Sequence, residues 1–142
     1  MATIDLPNNI LEALSTVLQQ LQQSLPKIKQ APDFSAIAFK WENGELKPIH
    51  QLKRIELNDL KGIERQKEKV LQNTEQFLNG LPANDVLLTG SRGTGKSSIV
   101  RALLTEYADQ GLRLIEIERD DLSELPEIQK LIAERPDKFI VY

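Results

Sequence analysis

Apolar residues recur along this chain with two different periods. Ile10, Leu11, Leu14, Val17, Leu18, Leu21 and Leu25 are spaced by three and four, which predicts an amphipathic helix over residues 8–25, stopped by Pro26. Its other face is Gln, Ser and Glu. The spacing 10-14-17-21 also fits a short coiled-coil seam of about two heptads; packing on its own domain or on a neighbouring subunit is the plainer expectation. Lys27 to Asp33 reads as a linker. Residues 34–41 then alternate as a strand does, Asn43-Gly44 gives a hairpin turn signal, and Glu45 to Ile49 returns as a second strand that Pro48 confines to an edge.

Helical spacing resumes from Glu64 to Leu78 through Val70, Leu71, Phe77 and Leu78, with Asn79-Gly80 as its stop. Asp85 to Thr89 is predicted as a short apolar strand. Ser98 to Asp109 follows as a helix with Ile99, Val100, Leu103, Leu104 and Tyr107 on one face, and Gly111 caps it. Leu112 to Ile117 is the next strand. Ser123, Glu124 and Pro126 open a helix to about Glu134, Pro136 ends it, and Lys138 to Tyr142 is a further strand. Three strands alternating with helices predict an α/β fold with a parallel sheet.

Composition narrows the chemistry. The chain has 142 residues, 40% apolar and 27% charged, as a soluble globular protein does. A net charge of −3 gives no bulk basicity, so a nucleic-acid partner is not indicated. The absence of cysteine excludes disulfides, thiol nucleophiles and Cys-type zinc sites, and it fits a cytoplasmic location. No apolar run approaches the roughly 18 residues of a membrane span. Met1 to Asn9 lacks the form of a signal peptide, so no membrane partner is expected. Phe39 and Trp41 read as packing residues. His50, the single histidine, has no partner that would make it catalytic. Arg65, Lys67 and Lys69 alternate with Glu64 and Glu68, the pattern of a solvated face.

The sharpest signal is Gly90-Ser91-Arg92-Gly93-Thr94-Gly95-Lys96-Ser97, of the form G-x-x-x-x-G-K-[ST], the Walker A loop. Phosphate oxygens need many donors at short range. Glycines without Cβ let successive backbone N–H groups curl into one anion-binding concavity. Lys96, the candidate catalytic residue, is expected to place its ammonium on the β- and γ-phosphates. The Ser97 hydroxyl is expected to ligate Mg²⁺, and the helix starting here points its positive end at the phosphates. The predicted strand before the loop and helix after it are the context the motif requires.

Leu60-Lys61-Gly62-Ile63-Glu64, about 30 residues ahead of the loop, resembles the N-terminal segment of AAA+ ATPases, where a Gly-Ile pair sits near the adenine. The longer string Asn73 to Leu78, Pro82-Ala83-Asn84, Gly90 to Ser98 and Gly111 to Glu116 is similar to one bacterial group within AAA+. Its members are ATP-binding proteins catalogued only as a domain of unknown function. The resemblance covers roughly residues 34–142. It implies a P-loop NTPase sheet preceded by an N-terminal helix and a small hairpin. Residues 1–33 would be the helix and linker, 34–58 the hairpin region, and 59–142 the front of the ATPase domain. It also implies that Gly90, Ser91, Arg92, Gly93, Thr94, Gly95, Lys96, Ser97 and Ser98 hold ATP and Mg²⁺, with Gly62 and Ile63 lining the adenine pocket.

In that superfamily the strand corresponding to Lys138–Tyr142 is followed by the Walker B acids, and later by sensors, an arginine finger and a lid; none of these is found here. The chain therefore looks like the incomplete front of a longer ATPase. Nucleotide affinity with little or no hydrolysis is the expectation for these residues alone. Glu116, Glu118, Asp120 and Asp121 are read as a solvated loop rather than as a displaced acid pair. In the AAA+ strand order the Val86–Leu88 strand lies between two later strands, so marginal stability is expected as well. The leading reading is an ATPase that forms a homo-oligomeric ring and remodels an unknown protein partner. A P-loop kinase, or a nucleotide-responsive interaction module using the Ile10–Leu25 helix, are the alternatives.

Overall fold

The computed structural model describes residues 7–24 and 32–142, and the chain divides into two compact units after Ala31. The expected positions of Leu25, Pro26 and most of the linker lie outside the described residues.

In the first unit the three-and-four spacing gives helix α1, Asn8–Ser24. The Pro7 carbonyl opens it by accepting from the Ile10 and Leu11 amides at 2.9 and 3.2 Å. Ser15 and Thr16 turn their hydroxyls back onto the Glu12 carbonyl at 2.8 and 2.9 Å, sharing that acceptor with the helix ladder. Ile10, Leu11, Leu14, Val17, Leu18 and Leu21 all remain exposed.

The second unit is a mixed α/β fold. Its strands are β1 (Ala38–Glu42), β2 (Glu45–Pro48), β3 (Leu112–Glu116) and β4 (Lys138–Val141), in the order β2-β1-β3-β4. The predicted hairpin is present, with Trp41 opposite Leu46 and Phe39 opposite Pro48. Asn43 takes the left-handed conformation that a tight two-residue connection demands (φ 55°). As expected, Pro48 lies on an edge strand. The other edge of β1 pairs in parallel with β3, Phe39 opposite Ile115, and β3 pairs in parallel with β4, Leu114 opposite Ile140. The hairpin thus belongs to the same sheet as the strands that follow. Residues 34–37, expected as the start of β1, form a turn instead; Asp33 Oδ1 accepts from the Ser35 amide at 3.0 Å and bends the chain there.

Helices α2 (Glu64–Leu78), α3 (Lys96–Tyr107) and α4 (Leu125–Ile132) cover the sheet. Strand residues alternate between its faces. Ala38, Leu112 and Leu114 pack with Val70 of α2 and with Ile99, Val100, Leu103, Leu104 and Tyr107 of α3. Phe39, Trp41, Leu46 and Ile115 pack with Ile128 of α4. Burial on both faces is what a parallel sheet requires. A full Schellman cap ends α2: the Gly80 amide donates to Phe77 and the Leu81 amide to Gln76, at 3.1 and 2.9 Å. Pro126 sits in the first turn of α4, as its rigid φ allows. A 3-10 turn, Arg119–Glu124, precedes that helix, and Glu124 accepts the Trp41 indole N–H at 2.6 Å. Arg113 joins three elements. It donates to the Ala108 carbonyl just beyond α3 at 2.9 Å and pairs with Asp137 ahead of β4 at 3.1 Å.

One predicted element is missing. Asp85–Thr89 is not a strand, and none of its backbone groups makes a hydrogen bond among the described residues. Val86 and Leu87 are exposed, the latter by 87%, while Leu88 reaches the α2–α3 side of the core. The apolar composition is right for a strand, but no neighbouring strand supplies a ladder.

Two outcomes test this packing. Leu103 is 2% exposed between α3 and the sheet. Leu103→Ala is expected to lower the unfolding free energy by about 2–5 kcal/mol, read from urea melts. Burial, then the Glu75 carboxylate that accepts its hydroxyl at 2.8 Å, push the Tyr107 phenol up to about 12. The folded state keeps this proton after the unfolded chain has lost it. The contribution is therefore complete below about pH 10 and declines as pH rises towards 12. Tyr107→Phe is expected to flatten that alkaline decline in the melting temperature.

Candidate functional site

The glycine-rich loop closes onto the start of α3. Gly95 is the residue before the helix and has φ 86°, a conformation that costs an ordinary residue about 1–2 kcal/mol. Gly90 has φ 143°, and a Cβ there would lie 3.0 Å from Thr94 Oγ1. A side chain at either position would alter the loop. Thr94 Oγ1 donates to the Ser91 carbonyl at 2.9 Å and fixes its curvature.

The first helical bond of α3 runs from the Ile99 amide to the Gly95 carbonyl at 2.9 Å. The amides of Lys96, Ser97 and Ser98 precede it and have no intrahelical acceptor. No side chain caps them. The Ser97 hydroxyl is exposed and makes no hydrogen bond among the described residues. Arg92 is also exposed. Lys96 folds into the loop: its ammonium donates to the Gly90 and Ser91 carbonyls at 2.7 and 2.6 Å and lies 3.4 Å from Thr94 Oγ1. Donors and a positive charge therefore converge on one exposed turn. Carbonyl dipoles satisfy that ammonium less strongly than an anionic oxygen would.

The Gly62-Ile63 pair lies far away in sequence, yet Ile63 Cδ1 is 3.8 Å from the point where a Cβ on Gly95 would lie. The structure thus brings Ile63 against the loop. Gly62 is exposed, and its amide donates to Glu64 Oε1 at 3.1 Å. Hydrogen bonds from its own amide and from Gly62 hold the Glu64 carboxyl below the usual range.

Two readings of charged residues need correction. Lys67 is not simply solvated. It is half-buried, and its ammonium donates to the Leu57 and Leu60 carbonyls at 3.0 and 2.8 Å, fastening the segment that delivers Ile63. Glu116 is not a loop acid. It ends β3 and accepts from Arg101 at 3.1 Å and from the Tyr142 hydroxyl at 2.6 Å. Glu118 and Asp120 are exposed as expected, with Glu118 3.5 Å from Lys40. Asn73 escaped the sequence reading. Its amide group makes both hydrogen bonds to the Asn84 backbone, at 2.8 and 2.9 Å, and anchors the chain ahead of the loop. No periodicity marks such a pair.

Residues 34–142 match the family described as "Protein of unknown function (DUF815)", and the chain belongs to that family. A 52-residue stretch is 36% identical to the Replication factor C large subunit of Methanococcus maripaludis (strain C7 / ATCC BAA-1331). That stretch is 37% of this chain and 11% of the relative, so the likeness spans about a tenth of that protein's length. Together the two matches support a relationship to the AAA+ superfamily. No solved structure matches. Among the described residues, no helix is long and apolar enough to cross a membrane.

Lys67→Met keeps the aliphatic stem and removes the ammonium. It is expected to speed amide exchange at Leu60, whose N–H donates to Leu57 at 3.3 Å, while Leu103 stays protected.

Proposed function

We propose that residues 90–98 bind the triphosphate of ATP together with Mg²⁺, as part of an AAA+-type P-loop domain. The observation that carries this reading is the convergence on one turn of uncapped helix amides, three glycines at positive φ, and the Lys96 ammonium. The fit is specific. A Cβ at Gly90 would crowd Thr94, and Ser97 offers an uncommitted hydroxyl at the helix start, where a phosphate-bound cation would need one.

In this reading the amides of Gly93 to Ser98 cradle the phosphates. Lys96 exchanges its carbonyl contacts for β- and γ-oxygens, which releases the loop from its internal tie. Ser97 ligates Mg²⁺, which when bound neutralises the phosphate charge. Ile63, set against Gly95, forms an apolar wall for the base, with Gly62 beside it. In the whole protein this binding would serve ATP hydrolysis coupled to the remodelling of a protein partner, in a ring of identical subunits.

Titration calorimetry tests the assignment. Heat on adding ATP with Mg²⁺, weakened by EDTA, is the expected result. Lys96→Ala removes a charge-assisted contact of about 1.5–3 kcal/mol, hence one to two orders of magnitude in Kd. Ser97→Ala is expected to reduce the Mg²⁺ dependence and leave metal-free affinity nearly unchanged. Absence of uptake by folded wild-type chain would refute the assignment.

A further inference from the structure

The chain enters the glycine-rich loop from α2, and one side chain holds that entry. Asn73, half-buried on α2, spends both ends of its carboxamide on a single residue. Its Nδ2 donates to the Asn84 carbonyl at 2.8 Å, and its Oδ1 accepts from the Asn84 amide at 2.9 Å. A neighbouring strand would satisfy a residue in the same manner, with one donor and one acceptor. A planar amide carries both groups side by side. Beyond Asn84, the backbone of Asp85–Thr89 makes no hydrogen bond among the described residues, and Leu88 is its contact with the core. The Asn73–Asn84 pair is therefore the last hydrogen-bonded point before the loop.

The two limbs of the loop are held differently. The second runs directly into α3, so a helix fixes its amides. The first is held by Lys96, through the Gly90 and Ser91 carbonyls. A triphosphate that takes the ammonium removes those ties. Thr94 still holds the Ser91 carbonyl, but that bond lies within the loop. From Gly90 back to Asp85, no backbone hydrogen bond would then remain.

We propose that Asn73 is a positioning residue for the phosphate-binding loop. It stands in for a ladder partner and keeps the incoming limb in place when Lys96 turns to the phosphates. The inference rests on the nucleotide reading given above. An unclamped limb has to be ordered at the moment of binding, at the cost of its conformational entropy. Loss of the clamp therefore weakens binding more than folding.

Asn73→Asp is the discriminating substitution. It keeps the shape, the helix propensity and the acceptor for the Asn84 amide, and it sets a carboxylate oxygen against the Asn84 carbonyl. In calorimetry on the full chain, Kd for Mg-ATP is expected to rise about threefold to tenfold. Magnesium tripolyphosphate, which has no base, is expected to lose affinity by the same factor, and the melting temperature to stay close to that of wild type. In the wild-type chain the Asn84 amide is expected to exchange more slowly than those of Asp85 to Thr89, with or without ATP. Unchanged affinity for both ligands, a loss confined to ATP, or fast exchange at Asn84 would overturn the proposal. So would a melting temperature that falls in step with affinity, the mark of a purely structural role. Failure of the wild-type chain to bind either ligand refutes the nucleotide reading itself, and this inference with it.

Discussion

Every backbone amide and carbonyl taken out of water needs a partner, and this requirement decides which apolar stretches of the chain become strands. Ala38–Glu42, Leu112–Glu116 and Lys138–Val141 satisfy each other in register, so their side chains can be buried above and below the sheet. Asp85–Thr89 has equally suitable residues but no ladder, and all of it except the half-buried Leu88 stays exposed. Side-chain composition alone does not supply the missing hydrogen bonds. The helices follow from the sheet. Residues 99, 100, 103, 104 and 107 of α3 are buried because the face beneath them is apolar.

The glycine-rich loop depends on the same accounting. Its amides lack partners because it opens a helix, and its carbonyls have one because Lys96 folds back onto them. The loop is thus held together by the charge that the proposed ligand would draw away. Lys67 does comparable work nearby, tying two carbonyls of the segment that carries Ile63. Two lysines at turns of the backbone therefore set the relation between the Gly-Ile pair and the loop.

Local pattern made much of this legible. The helices over 8–24 and 64–78 and the hairpin at Asn43-Gly44 all follow from short-range periodicity and turn chemistry. The loop was readable because its glycines, lysine and serine match a fixed spelling. The roles of Lys67, Asn73 and Glu116 were not. Each depends on a partner brought close by the fold: Leu57 and Leu60 for the lysine, Asn84 for the asparagine, Arg101 and Tyr142 for the glutamate. A charge run on a helix reads the same whether its lysine faces water or a carbonyl. The absent strand has the same cause, since pairing is non-local.

The hairpin gives the sheet two unlike margins. On the β2 side, Pro48 has no N–H to offer, and the exposed Glu45 and Lys47 put ionised groups along the rim. An approaching strand meets desolvation and a gap in its ladder there. The β4 margin begins with Lys138 and then carries Phe139, Ile140 and Val141, with no proline in the strand. Accretion of a further strand is thereby polarised: it is disfavoured along the β2 rim, where a proline interrupts the ladder, relative to the β4 rim.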